Sequence, residues 1–158
     1  AIVRYLSLVI PGPIVSNLVI AFYCLAIILV IPTLTEVIGI GIVAGIVCAL
    51  LSHSIFPPAN LISEPVGAVA CLFTYKALRT RLSLSPAFST LVGTLVSGTT
   101  FVIVAMVLVA PAILSKFATL GAFVAAIIPI VVLTAVANSV IVQILDLPAS
   151  KVLARGRA

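Results

Sequence analysis

The residues able to act on a small solute are few: His53, Asn60 and Glu64 in SHSIFPPANLISEPVG (52–67), and Asn17, Thr100 and Asn138 beside or inside apolar runs. Glu64 stands directly before Pro65, a residue that favours the first turn of a helix. Two roles are open to it. Ser63 or Glu64 caps the helix that follows, or Glu64 holds a substrate ammonium while free N–H groups at that helix start receive a carboxylate, so that together they bind a zwitterion. Asn60 shapes the turn or contacts ligand, because asparagine tolerates unusual backbone angles. His53 is a general acid, a proton site or an interfacial histidine. The amide of Asn138, deep in the last apolar run, needs partners and serves either as interhelical glue or as a ligand contact. The hydroxyls of TLVSGTT (94–100), Thr100 among them, bond their own helix carbonyls or line a cavity, and Asn17 closes the early turn PGPIVSN.

No catalytic or metal-binding signature accompanies these groups. HExxH, GxSxG and Walker-loop patterns are absent, and with three acidic residues in the chain there is no pair of carboxylates in register. His53 with Glu64 is the sole conceivable acid–base couple. Cys24, Cys48 and Cys71 each fall inside an apolar run without a nearby Cys or His, so they are expected to be small packing residues rather than disulfide or zinc ligands. The sequence thus predicts no enzyme, no metal and no cofactor, and excludes an ATP-driven machine in this chain alone.

What positions the polar residues is set by composition. Hydrophobic residues make up 64% of the 158 and charged residues 7%, against about 25% charged in soluble domains. The apolar runs approach the roughly 20 residues that cross a hydrocarbon core, and they lack the alternation of a membrane barrel. An all-α polytopic membrane bundle in one domain follows. Proline, glycine and charge divide it into six transmembrane helices: 1–10, the end of a helix truncated in this sequence, then 13–31, 36–52, 65–78, 86–110 and 117–147. The last is too long for one upright span, which predicts a tilt or a kink at Pro129. Glu36 complements the helix dipole at the start of 36–52.

The net charge of +5 does not point to nucleic acid, since no basic face or aromatic platform accompanies it. It reports orientation. Lys76, Arg79 and Arg81 follow the fourth span and Lys151, Arg155 and Arg157 the sixth, with Lys116 alone in a loop opposite. The positive-inside rule then puts the C-terminus in the cytoplasm of a multi-pass cell-membrane protein and turns 52–67 outward. Small residues at spacing four, Gly41–Gly45–Ala49, Gly67–Cys71 and Gly93–Ser97, predict close helix packing in lipid.

Four stretches in this order, GIVAGIVCAL (41–50), NLISEPVGA (60–68), GTLVSGTTF (93–101) and IVQIL (141–145), resemble the small bacterial tryptophan transporters. That family is similar to the six-helix S components of energy-coupling-factor transporters. The resemblance covers most of residues 13–147 and implies an outward-opening pocket for tryptophan or a related solute, with Asn60 and Pro65 as site or loop-shaping positions. Partners implied are the solute, the bilayer and, for an S component, a coupling transmembrane subunit with its ATPases. Phe56, Phe73, Tyr75 and Phe101 are the aromatic side chains available to an indole. Alternatives are a vitamin-type S component and a structural subunit of a larger membrane complex whose polar loop binds nothing small.

Overall fold

A computed structural model describes residues 12–51 and 54–155. Its regular structure is helical throughout: α1 (Gly12–Val30), α2 (Leu34–Leu51), a single 3-10 turn (Pro57–Ala59), α3 (Asn60–Leu78), α4 (Ser85–Leu108), the short α5 (Ala110–Leu114) and α6 (Leu120–Arg155). Among the described residues, four helices are long and apolar enough to cross a membrane, within Leu34–Leu51, Pro57–Leu78, Ser85–Leu108 and Leu120–Leu153, and Leu18–Val30 is a shorter apolar segment. The chain is a helical membrane protein. The stub expected at 1–10 lies outside the described residues.

Local chemistry explains the helix ends. Thr33 and Glu36 form a reciprocal capping box at the start of α2: the Thr33 amide and hydroxyl donate to Glu36 Oε2 at 2.7 and 2.8 Å, and the Glu36 amide donates back to Thr33 Oγ1 at 3.4 Å, satisfying donors that a helix start leaves bare. Ile31 ends α1 at φ 52°, a left-handed turn unusual for a β-branched residue, with its amide bonded to Ile27 O at 2.8 Å. Thr119 Oγ1 accepts from the Ala122 amide at 3.0 Å and caps α6.

Packing is inverted relative to a water-soluble bundle. The buried face of α2 is Val37, Gly41, Ala44, Gly45 and Cys48, and that of α3 is Asn60, Ser63, Glu64, Gly67, Ala68, Cys71 and Leu72, while Ile42, Val43, Leu50, Ile62, Phe73, Leu133 and Ile144 face outward. Small and polar groups inside with branched apolar groups outside is the pattern expected where the surroundings are hydrocarbon and close packing, not burial of oil, joins the helices. The contacts are backbone-close. A Cβ on Gly41 would lie 2.4 Å from Pro65 Cα, and one on Gly45 would lie 2.7 Å from the Asn60 carbonyl oxygen.

Neighbouring helices alternate in direction, which separates the two ends of the bundle. Gln143 Oε1 accepts from the Ala87 amide at 3.2 Å, and Tyr75 lies within electrostatic reach of Arg79 and Asp146. The end of α3, the start of α4 and residues 143–146 of α6 therefore share one level, called here the basic end. At the other end Val102, Ala105, Ile113 and Phe123 form an apolar cluster joined by Ile55, Phe56, Phe101 and Phe117, with the Phe117 and Phe123 rings edge to face at 5.3 Å. Lys116 lies at this end.

Three boundaries differ from those read in the sequence. The helix expected at 65–78 begins at Asn60, preceded by the turn Pro57–Ala59: two prolines preset the first turn, and Pro65 is carried inside the helix where Gly41 abuts it, as neighbours permit in membrane helices. The span expected at 117–147 is Leu120–Arg155, continuous through Pro129 and Pro148; its 36 residues measure about 54 Å, so Lys151 and Arg155 ride its final turns instead of a tail. The span expected at 86–110 ends at Leu108, and Ala110–Leu114 forms a helix of its own.

The Gly41 contact is directly testable. Gly41→Ala forces α2 away from Pro65 and should destabilise the protein in detergent by about 1–3 kcal/mol. Gly39→Ala, with nothing within 4 Å of the new Cβ, should be neutral or stabilise by up to about 1 kcal/mol. Equal melting shifts for the two variants would contradict the packing described.

Candidate functional site

Glu64 belongs to the inward stripe of α3 and is 2% exposed. Along the helix axis it lies about 10 Å from Pro57 and about 21 Å from Leu78. Its position overturns the expectation of a carboxylate at an outer mouth. Neither Ser63 nor Glu64 caps α3, whose start has no side-chain cap, because the helix begins four residues before Glu64.

Three other helices converge on this carboxylate. The Tyr23 hydroxyl of α1 donates to Glu64 Oε2 at 3.0 Å, and the polar side chains of Cys48 of α2 and Ser97 of α4 also face it. What lets them reach is the absence of side-chain bulk. A Cβ on Gly67 would stand 2.6 Å from Ser97 Cβ and 3.0 Å from the Tyr23 hydroxyl, and one on Gly93 would stand 3.0 Å from Cys71 Cβ and 3.1 Å from the Gly67 carbonyl oxygen. The Gly67–Cys71 and Gly93–Ser97 steps thus press α3 and α4 together at the level of the acid and one turn below it.

Toward the basic end the polar character continues. Cys24 of α1 faces Cys71 of α3 and Thr90 of α4, and all three are fully buried. Thr94 Oγ1 donates to the Thr90 carbonyl at 2.8 Å and accepts from Asn138 Nδ2 at 3.4 Å, tying α4 to α6. The three cysteines are free thiols and buried.

The candidate residues therefore separate. Asn60 is buried, and its Nδ2 donates to the Pro57 carbonyl at 2.8 Å, which is the turn-shaping role. Asn138 takes the interhelical role, 1% exposed. Thr100 is half-buried one turn beyond Ser97. Asn17 falls within α1, and His53 lies outside the described residues. The expected carboxylate receptor at the start of the helix is also corrected: Pro57 and Pro58 have no N–H, the Ala59 amide donates to Phe56 O at 3.1 Å, and the Asn60 amide donates to Pro57 and Pro58. Among the aromatics, Phe73 is 56% exposed on the outer face and Tyr75 sits at the basic end, whereas Phe56 and Phe101 line the apolar cluster at the other end.

Tyr23, Cys48 and Ser97 were not singled out as partners of the acid. The signal available was the matched Gly-xxx-small spacing of α3 and α4, which predicts contact but not what else reaches the contact.

The Tyr23–Glu64 bond predicts energetic coupling. Tyr23→Phe should cost about 1–3 kcal/mol, and the cycle with Glu64→Gln should show an interaction of about 1 kcal/mol or more in detergent unfolding. Additivity within about 0.5 kcal/mol would show that the hydroxyl and the carboxylate do not interact. No protein-family model, curated protein or solved structure matches the chain.

Proposed function

We propose that this chain is a solute-uptake protein of the cell membrane in which Glu64 receives the cationic amino group of a small substrate, tryptophan being the candidate named by the family resemblance. One observation carries the reading: a carboxylate 2% exposed, inside a membrane helix, held by side chains from three other helices. A charge at the centre of a membrane helix costs at least about 2.5–3.5 kcal/mol on insertion scales, and such residues mark ion and substrate pathways. A structural role alone is served by Asn138 and Thr94, which bridge helices without an ionisable group.

The surroundings favour an amine with an apolar or aromatic body. Phe101 follows Ser97 by four residues on α4 and so lies on the same face one turn farther from the basic end; with Phe56 it offers an aromatic wall to an indole whose ammonium sits on Glu64. The Ala59 and Asn60 amides at the start of α3 are engaged, which leaves the amine to dominate recognition. In this reading the basic end, with Lys76, Arg79, Arg81 and Lys151, faces the cytoplasm. The energy for uptake comes from a gradient or from a coupling transmembrane subunit with its ATPases.

The test uses right-side-out vesicles carrying the full-length protein. A thiol reagent applied outside should label Ser115→Cys but not Arg79→Cys, the native cysteines being buried. Labelled tryptophan should bind saturably, tryptamine should compete, and Glu64→Gln should weaken binding at least tenfold. Absence of saturable binding across amino acids, amines and vitamins, or labelling of Arg79→Cys alone, would overturn the proposal.

A further inference from the structure

The charge balance around Glu64 decides what else this site does. The titratable and charged groups facing it can be named from every element that packs on it: Tyr23 and Cys24 from α1, Cys48 from α2, and Cys71 farther along α3 itself; α4 contributes the uncharged Ser97. Among the described residues none of these is a cation. The basic side chains of α3 lie at Lys76 and Arg79, twelve and fifteen residues onward, about 18 and 22 Å along the axis. The other two acids are not available to share a charge with it, since Glu36 is engaged in its capping box and Asp146 sits beside Tyr75 at the basic end.

Among the described residues a carboxylate so placed has no countercharge. In a low-dielectric interior an unpaired ion is disfavoured far more than a neutral hydrogen-bonded group. The hydroxyls and the thiol that touch Glu64 stabilise either form but change the charge of neither. The site is therefore neutral in two conditions: with a proton on the carboxyl, or with a cation against the carboxylate. Filling it with both leaves one positive charge unbalanced, and emptying it of both leaves one negative charge.

We propose that Glu64 is a proton–cation exchange site, at which one proton and one amine of net positive charge, such as tryptamine, occupy the same carboxylate in turn; a zwitterion such as tryptophan, whose own carboxylate balances its ammonium, does not displace the proton. Arrival of the solute breaks the carboxyl O–H bond; its proton passes to water, and the ammonium N–H groups donate to the carboxylate left behind. Departure of the solute returns a proton to the oxygen. Charge balances at each step, and no oxidant, reductant or metal takes part. Tyr23, bonded to Oε2, holds the group in place in both states. This rests on the solute reading above and adds a direction to it. With the outside more acidic than the cytoplasm, exchange alone drives the solute outward, so net uptake through Glu64 draws on another energy source, as a coupling ATPase would provide.

The experiment follows protons and solute together on the full-length protein in detergent and in vesicles, with tryptamine and tryptophan as probes. In weakly buffered solution about one proton should be released per tryptamine bound, and on the acid limb the affinity for tryptamine should fall about tenfold per pH unit. Dicyclohexylcarbodiimide, which attacks protonated carboxyls in apolar surroundings, should modify Glu64 in the empty protein, as read by peptide mass spectrometry, and saturating tryptamine should protect it. These last readings need no variant, so a misfolded Glu64→Gln protein does not blunt them. Saturable tryptamine binding with no proton release, with unchanged affinity across the acidic and neutral range, or with sodium dependence in place of proton release overturns exchange and leaves the solute reading intact. Failure of any amine or amino acid to bind overturns both.

Discussion

The structure is organised around the placement of one carboxylate in hydrocarbon. Glu64 is 2% exposed and has no basic neighbour among the described residues, so the bundle surrounds it with donors. Tyr23, Cys48 and Ser97 provide them from three directions, and each can do so only if the backbones of α2, α3 and α4 come close. That requirement accounts for the small residues on the inner faces. Gly41 and Gly45 let α2 touch the first turns of α3, and Gly67 and Gly93 let α3 and α4 meet almost backbone to backbone. A larger side chain at any of them would separate the partners of the acid as well as the helices.

The same constraint explains why the outer faces are unremarkable stretches of Ile, Leu and Val. With no hydrophobic force between helices in lipid, cohesion comes from dispersion contacts and interhelical hydrogen bonds, and both are concentrated inside. The Thr94–Asn138 bond secures α6 to α4, and the apolar cluster around Phe123 and Ile113 closes the end away from the basic residues. The groups that hold the acid are also those that hold the bundle.

Much of the architecture was legible because it rests on composition. Long apolar runs broken by proline and charge announced membrane helices, and Gly-xxx-small steps announced their contact faces. What misled was Pro65. Read locally, a proline after a glutamate starts a helix, which put Asn60 and Glu64 in a polar loop; the helix instead starts at Pro57–Ala59 and runs through Pro65, because Gly41 of another helix accommodates the ring. That accommodation is tertiary and invisible in a single segment. The partners of Glu64 were equally out of reach, since Tyr23 and Ser97 are 41 and 33 residues away in sequence and only their meeting across α1, α3 and α4 gives them a role. Conversely, Asn60 and Asn138 carried both a structural and a ligand reading, and their bonds to Pro57 and Thr94 give each a structural contact.

Isotope-edited infrared difference spectroscopy of the full-length protein, with Glu64 distinguished by comparison with Glu64→Asp, reads the state of that group directly. The account requires a buried protonated-carboxyl band in the empty protein that disappears, with a carboxylate band rising, when tryptamine is added. A Glu64 band that titrates as an ordinary water-exposed carboxylate and is indifferent to every amine tested would contradict it.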